Sequence, residues 1–181
     1  MALSIDPALV AAARSDDLSL EGLIEAVWPE AFRVAASILR DRALAEDVAQ
    51  EACAAMARSL DALKDARTFA PWFYRIVSNY AISTARRRRP TIPIDAANQC
   101  ATHFDSSDAI DLYDALAALP VDQRAALVLH YYAGLNSFDI AAILGVAAAT
   151  VRFRIMLARR ALAKALSQPN ANSDEVLSHV R

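Results

Sequence analysis

The segment at residues 136–161, NSFDIAAILGVAAATVRFRIMLARRA, constrains the fold more than any other part of the sequence. Asn136 is a favourable N-cap residue, and Asp139 stands three positions later, where it can complete a capping box. Gly145 suits the left-handed backbone conformation that ends many helices. The segment therefore predicts two short helices around a tight turn. Their inner faces are Ile140, Ile143 and Leu144 in the first helix and Val151, Ile155, Ala158 and Leu162 in the second.

The second predicted helix is basic on its outer side, because it carries no acidic residue and its apolar positions face inward. A helix-turn-helix with such a second helix can enter the major groove of DNA. An ordinary helical hairpin with a solvated basic face is the alternative that this segment alone leaves open. The basic residues are Arg152, Arg154, Arg159, Arg160 and Lys164.

The fold class is predicted from two features of the sequence: glycine is scarce, and no stretch has the alternating pattern typical of a β-strand. Hydrophobic residues make up 56% of the 181 residues, so the chain can bury a core. Only three glycines occur, and no run of alternating β-branched residues is bounded by turn residues. We therefore predict an all-α fold of two small helical domains joined by a flexible acidic linker.

The charges are segregated along the chain, although the net charge is only −2. Residues 90–111 carry four aspartates and no lysine or arginine, whereas residues 140–166 carry four arginines, one lysine and no acid. Arg86 to Arg89 form a second basic cluster. A local positive field can therefore survive the overall negative charge, as binding to nucleic acid requires.

No pattern in the sequence indicates a cofactor or a catalytic centre. Cys53 and Cys100 are far apart, and the three histidines show no ligand spacing, so we expect no metal and no other cofactor. No nucleophile–base pair or phosphate-binding glycine loop is visible, so an enzyme is not expected. The sequence shows neither a signal peptide nor a long uncharged apolar stretch, so we expect a cytoplasmic protein without membrane insertion.

Helical apolar patterns and breaker residues divide the chain into two units. Residues 1–18 are predicted to form a short extra helix or a loose leader, and residues 19–89 a first helical domain. Residues 90–107 are polar, acidic and contain prolines, so we predict an extended, mobile linker. Residues 108–166 are predicted to form the second helical domain, followed by a polar tail at 167–181.

Single residues give the expected helix boundaries. Pro29 should kink or interrupt the first long helix, because proline lacks the amide of an interior helical position. Asp41 can cap the next helix, and Pro71 favours the first turn of the one after it. The predicted helices cover about residues 19–39, 42–60, 71–88, 108–118, 121–133, 137–144 and 148–166. The apolar stripe predicted for the first is Leu20, Leu23, Ile24, Val27, Phe32, Ala35 and Leu39.

Three stretches, in order, resemble motifs of the extracytoplasmic-function sigma factors of bacterial RNA polymerase. The stretch DRALAEDVAQEA at residues 41–52 is similar to that family's AEDVxQE signature. FAPWFYRIVSN at residues 69–79 is similar to its WLYRIAxN helix, and an arginine run follows. Residues 118–162 are similar to its LP–QR, E-I-A and TV-x-x-R-x-x-x-A-R elements. The resemblance implies sigma domain 2 in the first unit and sigma domain 4, with its helix-turn-helix, in the second.

The resemblance implies that the acidic helix docks on core RNA polymerase. In the family this helix contacts the clamp helices of the largest polymerase subunit. Acidic side chains suit a basic partner surface, where complementary charge speeds encounter and fixes the register. A solvated helix face is the alternative for a generic protein. The candidate polymerase-binding residues are Asp47, Gln50 and Glu51.

The resemblance implies that the aromatic helix and the loop before it hold the −10 promoter element. In the family, the asparagine equivalent to Asn79 contacts the unpaired non-template strand, and the loop holds one flipped base, whose unstacking the pocket must offset. Trp72, Phe73 and Ile76 are expected to be core residues. The arginine run can neutralise phosphates or form a solvated helix end favoured by the helix dipole. The −10 candidates are Leu63, Lys64, Arg67, Arg75, Asn79 and Arg86.

The resemblance implies that the last helix reads the −35 promoter element. An arginine there can bind guanine through two hydrogen bonds. Phe153 stands where the family usually has a small polar residue, and Leu157 stands where arginine is common. Alanines at 147–149 replace a turn that commonly contains glycine, so the promoter sequence is not predicted. The −35 candidates are His130, Thr150, Arg152, Phe153, Arg154 and Met156.

The expected function is promoter-specific transcription initiation as an RNA polymerase sigma factor. The implied partners are bacterial core RNA polymerase, promoter DNA and an anti-sigma factor that holds the free chain in response to a signal. Two alternatives remain open. One is a sigma-like mimic that occupies an anti-sigma protein, and the other is an ordinary helix-turn-helix regulator of transcription.

Overall fold

The computed structural model describes residues 3–87 and 115–167, and these ranges are helical without a β-strand. The predicted all-α fold is confirmed. The predicted linker at 90–107, most of the predicted helix at 108–118 and all but the first residue of the tail lie outside the described residues. The helices are α1 (Pro7–Ala12), α2 (Asp17–Leu39), α3 (Arg42–Ser59), α4 (Phe69–Arg87), α5 (Val121–Tyr131), α6 (Ser137–Leu144) and α7 (Ala148–Leu166).

The first body is a bundle of α2, α3 and α4, with α1 packed on α2. Residues 1–18 were predicted to form either a short extra helix or a loose leader, and the short helix is present as α1. Its N-cap is Asp6, which accepts a hydrogen bond from the amide of Ala8 at 2.8 Å, and Pro7 takes the first helical position. Proline is tolerated there because the first amides of a helix have no intrahelical partner.

Pro29 does not interrupt α2, which is continuous through it, so of the two predicted effects, a kink or an interruption, the interruption is wrong. Two features explain the continuity. Pro29 lies on the exposed side of the helix, where water can satisfy the carbonyl that loses its partner. Val27 and Ala31, on either side of it, are fully buried, so core packing holds the helix on both sides of the proline.

The buried stripe of α2 differs in part from the predicted one. Leu23, Val27 and Ala35 are buried as predicted, whereas Leu20, Ile24, Phe32 and Leu39 are only half-buried. Helix α2 packs against α3 and α4, and its buried positions include one carboxylate, Glu30, which an apolar pattern cannot reveal. The remaining buried positions are Ala31, Val34 and Ile38.

Local capping sets the other boundaries of the first body. The Asp41 carboxylate accepts a hydrogen bond from the amide of Leu44 at 3.1 Å, which confirms the predicted cap of α3. Helix α4 begins two residues before Pro71, because a 3₁₀ turn at Ala66–Thr68 leads directly into it. The side chain of Phe69, the first residue of α4, is 2% exposed.

The second body consists of α5, α6 and α7, with residues 115–117 also helical. Helix α5 ends at Tyr131, two residues before its predicted end. The Asn136 side chain accepts hydrogen bonds from the amides of Phe138 and Asp139, which confirms the predicted cap. Asp139 in turn accepts a hydrogen bond from the side-chain amide of Asn136 at 2.6 Å. The return contact of the predicted capping box is therefore made to the side chain of Asn136.

The predicted helix-turn-helix is present in α6 and α7. Gly145 ends α6 with φ 65°, as predicted from its position. A bend of 105° separates α6 from α7, within the range typical of this motif. Val151, Ile155 and Ala158 are buried as predicted, whereas Leu162 is half-buried.

The two bodies pack directly on each other. Helix α5 contacts both α2 and α4, and α6 contacts α4. Buried side chains of both bodies belong to one continuous hydrophobic cluster. The first and second predicted domains, which the sequence pattern indicates as separate units, are therefore in contact.

Candidate nucleic-acid interface

The acidic face of α3 is exposed. Asp47, Gln50 and Glu51 all lie on the solvent side, whereas Val48 and Ala52 point into the core. Glu46 is bound to Arg42, with 3.0 Å between Oε1 and Nε. Within residues 3–87 and 115–167, neither Asp47 nor Glu51 has an ion-pair partner, so both carboxylates are open to a partner with basic residues.

The loop before α4 is pinned to the first body. Leu63, a predicted −10 residue, is 6% exposed, so its side chain anchors the loop in the core. Its carbonyl accepts a hydrogen bond from Nη2 of Arg14. Lys64 and Arg67 are exposed on either side of Asp65. The loop therefore presents its basic side chains from a fixed backbone.

Asp65 holds the guanidinium of Arg67 through two hydrogen bonds. Nε donates to Oδ1 and Nη2 donates to Oδ2, both at 3.1 Å. These hydrogen bonds lower the pKa of the Asp65 carboxyl, so it is ionised at neutral pH. A phosphate that binds Arg67 must compete with this carboxylate.

One face of α4 carries exposed polar candidates, and the opposite face carries aromatic core. Arg75, Asn79 and Arg86 are exposed at i, i+4 and i+11, a spacing that places them on one side of a helix. The rings of Phe69 and Phe73 stack with centroids 5.7 Å apart. Phe73 is buried as expected, and Trp72 and Ile76 pack against the core while half-buried.

The recognition-helix candidates differ in accessibility. Arg152, Phe153 and Met156 are exposed on α7, and 56% of Phe153 is open to solvent. Thr150 is half-buried near the start of the helix. Arg154 is also half-buried, in contrast to the outward position expected from the apolar pattern.

His130 is held in one orientation by its neighbours. Its Nδ1 lies 2.9 Å from the carbonyl oxygen of Leu135, and a carbonyl can only accept, so Nδ1 carries the proton and donates. The ring meets the edge of Tyr131 with centroids 4.8 Å apart. His130 borders a cavity of about 550 Å³ with Arg152, Arg159 and Arg160 of α7, a basic concavity that suits an anion.

Asp122 joins the two sets of DNA candidates, and the sequence pattern did not single it out. Nη2 of Arg86 donates to Oδ1 at 2.6 Å, and Nη2 of Arg154 donates to Oδ2 at 3.3 Å. Arg86 lies 36 residues before Asp122. An acidic residue in the first turn of α5 is already explained by its favourable interaction with the helix dipole. Nothing near Asp122 in the sequence therefore indicates that it binds two arginines.

Glu30 is a second polar residue that sequence reasoning missed. It is 5% exposed and accepts hydrogen bonds from Oη of Tyr74 at 2.6 Å and from Oη of Tyr132 at 2.9 Å. Burial, followed by the hydrogen bond to Glu30, raises the pKa of both phenols, that of Tyr132 to about 12. Both tyrosines therefore remain donors at neutral pH. Tyr132 belongs to the second body, so this buried carboxylate also lies at the contact between the bodies.

The described ranges hold neither a cluster of metal-ligand residues nor a helix that is long and apolar enough to cross a membrane. Residues 3–87 and 115–167 contain no group of three or more His, Cys, Asp or Glu placed to hold a metal ion. In the same ranges no single helix has the length and hydropathy of a membrane span, and α6 with α7 meets that test only as a bent pair.

Both bodies match known protein families. Residues 23–91 match sigma-70 region 2, and residues 109–162 match sigma-70 region 4. The RNA polymerase sigma-H factor of Pseudomonas aeruginosa is 33% identical over 147 residues, which cover 71% of this chain and 76% of that protein. The ECF RNA polymerase sigma factor SigM of Mycobacterium tuberculosis is 31% identical over 165 residues, 90% of this chain and 84% of that protein.

Two solved structures are similar over most of the chain. CnrH in complex with the cytosolic domain of CnrY superposes with a TM-score of 0.69 at 25% identity, covering 90% of this chain and 97% of CnrH. The sigma factor RpoE of Bartonella quintana, in complex with the anti-sigma factor NepR, superposes with a TM-score of 0.66 at 25% identity. That match covers 81% of this chain and 96% of the RpoE chain. Two helical bodies with these matches define an RNA polymerase sigma factor.

The chain belongs to the extracytoplasmic-function sigma factors, as its motifs indicated. Its function is to direct promoter-specific initiation of transcription by RNA polymerase. The match to region 2 disfavours an ordinary helix-turn-helix regulator, because the helix-turn-helix lies in the second body and does not account for a sigma region in the first.

Proposed function

We propose that this sigma factor binds core RNA polymerase, the −10 element and the −35 element through three different exposed faces. The acidic face of α3 binds core RNA polymerase through Asp47, Gln50 and Glu51. The outer face of α4 and the loop before it hold the melted −10 element. Helix α7, with His130 beside it, contacts the −35 element. The observation that carries this proposal is that each face is exposed and has the charge its partner requires.

The polymerase assignment is supported by the geometry of α3. Its inner face is fully used by the core, so the carboxylates of Asp47 and Glu51 have no role in packing. Exposed acids without an intramolecular partner lose no contact when a basic surface binds them. The domains proposed are 19–89 for binding polymerase and the −10 element and 108–166 for the −35 element.

The −10 assignment is supported by the side chains that α4 leaves in solvent. The amide of Asn79 can donate to and accept from a base edge, and Arg75 and Arg86 lie on the same side for phosphates. Lys64 and Arg67 extend this basic surface to the loop. The side chain of Leu63 is buried, so its proposed part is to hold the loop backbone where a flipped base is received.

The −35 assignment is supported by the exposed row on α7. Arg152 can bind guanine, and Phe153 can contact a thymine methyl. Thr150 and Met156 flank them. Arg154 requires release from Asp122 before it can reach a base or a phosphate.

The proposed cellular role includes control by an anti-sigma factor, supported by the similarity to the sigma factor RpoE, whose solved structure is a complex with the anti-sigma factor NepR. The chain acts in the cytoplasm, where the polymerase is found. Nucleotidyl transfer belongs to the polymerase, so no residue of this chain is proposed as catalytic and no cofactor is required.

Charge reversal on α3 tests the polymerase assignment. Asp47→Lys combined with Glu51→Lys should abolish co-purification with core polymerase at low salt, while helicity measured by circular dichroism is retained. Glu25→Lys, a charge reversal at an exposed position of α2, is the matched control and should leave binding intact. If the double variant binds core polymerase as strongly as the control does, α3 is not the polymerase-binding face.

A second candidate function is a sigma-like mimic that occupies an anti-sigma protein. The exposed apolar side chains of Phe153 and Met156 favour it, because such side chains suit a protein partner as well as DNA. A mimic binds the anti-sigma protein but yields no promoter-specific transcript with core polymerase. Run-off transcription therefore separates the two functions.

A further inference from the structure

A side chain that follows α1 holds the backbone of the loop before α4. Nη2 of Arg14 donates a hydrogen bond to the carbonyl oxygen of Leu63, which lies 49 residues later in the sequence. The amide of Leu63 makes only a local bond, to the carbonyl of Leu60 at 3.1 Å. In the part of the chain that the structure describes, the bond from Arg14 is therefore the one that ties the backbone of this loop to a segment distant in sequence.

Helix α1 is itself anchored, so Arg14 donates from a fixed backbone. Val10 and Ala13 of this segment are buried in the core of the first body. The amide of Leu3, ahead of the helix, donates to Oη of Tyr74 at 3.0 Å. Helix α1 also contacts the 3₁₀ turn that leads into α4. The guanidinium therefore reaches the loop from a helix that the core holds in place.

The carbonyl bound by Arg14 lies at the centre of the predicted −10 loop. The side chain of Leu63 is buried, and the next residue, Lys64, is exposed. Leu63 borders a cavity of about 230 Å³ together with Trp72 and Arg75 of α4. A rotation of the backbone at Leu63 would therefore move both the wall of this cavity and the ammonium group of Lys64. A loop that is held in advance loses less conformational freedom when it binds, so its affinity is higher.

We propose that Arg14 is a positioning residue for the −10 element, which holds the loop backbone at Leu63 in the conformation that receives a flipped base. Arg14 acts through the loop and does not contact the base. The proposal gives α1 a part in promoter recognition. It rests on the −10 role proposed above for the loop. A direct contact between the exposed guanidinium and a DNA phosphate is the alternative, and it predicts a loss of affinity that does not depend on any one base.

Hydrogen exchange followed by mass spectrometry tests the structural step on the full chain without DNA. Arg14→Met removes the donor and keeps an apolar stem. Peptides that cover residues 60–68 should exchange about threefold to tenfold faster in this variant, the factor expected from the loss of one partly exposed hydrogen bond. Arg42→Met is the matched control, because it removes the same charge and one exposed ion pair at the opposite end of α3. Exchange of the loop in the control should match the parent.

Binding of the holoenzyme to single-stranded DNA tests the functional step. The probes are fluorescent non-template oligonucleotides from the −10 region of a promoter that the parent holoenzyme uses, and in each probe one base is replaced by an abasic site. In the parent, the abasic site that weakens binding most identifies the flipped base. Arg14→Met should bind the intact probe about threefold to tenfold more weakly and should bind the probe that lacks the flipped base as the parent does. Arg14→Lys keeps the charge and a donor and should recover most of the affinity.

Three results would contradict the proposal, and they can be told apart. Loop exchange in Arg14→Met equal to that of the parent would overturn the structural step. An equal loss of affinity for every probe, including the one that lacks the flipped base, would overturn the positioning role in favour of a phosphate contact. If no abasic site weakens binding by the parent, the −10 role of the loop is wrong, and the positioning role falls with it.

Discussion

Tyr74→Phe isolates one buried hydrogen bond in the core of the first body. The change removes the phenol that donates to Glu30 at 2.6 Å and leaves the buried ring in place. A hydrogen bond to a charged group contributes about 1.5–3 kcal/mol, and Glu30 would keep only Tyr132 and the distant Arg33 as partners. The amide of Leu3, which donates to the same phenol at 3.0 Å, is only partly buried and can turn to water. We therefore expect the free energy of unfolding to fall by about 2–3 kcal/mol.

Urea denaturation followed by circular dichroism measures this loss as a shift of the midpoint at constant slope. Tyr80→Phe is the matched control, because Tyr80 lies half-buried on the same helix and its hydroxyl has no hydrogen-bond partner among the described residues. The control should stay within about 0.5 kcal/mol of the parent. A loss in Tyr74→Phe no larger than in the control would refute the role given to this hydrogen bond.

Three further predictions concern other parts of the molecule. Asn136→Ala removes the acceptor for two amides at the start of α6 and should lower the free energy of unfolding by about 1 kcal/mol, whereas Asn136→Ser should retain most of it. Burial raises the pKa of the Cys53 thiol to about 11, so in a Cys100→Ser variant it should react with a disulfide reagent at pH 8 only as fast as the chain opens. Because the pKa of Tyr132 is raised from 10.0 to about 12, stability should decrease as pH rises through that interval, and Tyr132→Phe should flatten the decrease.

Residues that act on their immediate neighbours could be predicted from the sequence. The caps at Asp41 and Asn136 and the left-handed turn at Gly145 depend on backbone groups a few positions away. The inner face of α7 follows from helical spacing alone. For the same reason these helices carry recognisable motifs, and the family that the motifs indicate is the one to which the chain belongs.

Contacts between distant segments could not be predicted in this way. Nothing near Asp122 in the sequence indicates that Arg86 lies beside it, and nothing near Glu30 indicates two tyrosine donors. The continuity of α2 through Pro29 could not be predicted either, because it depends on which side of the helix faces water. Arg154 was expected in solvent because a helical pattern describes one helix and not the body that packs against it.

Run-off transcription with purified bacterial core RNA polymerase is the most direct measurement of what this chain does. The chain and the core enzyme are mixed at low salt with genomic DNA fragments, and the 5′ ends of the transcripts are sequenced. We expect starts at a small set of sites that share two sequence elements, starts that core polymerase alone does not produce. Transcripts indistinguishable from those of the core enzyme alone, with the chain bound to it, would contradict its assignment as an initiating sigma factor.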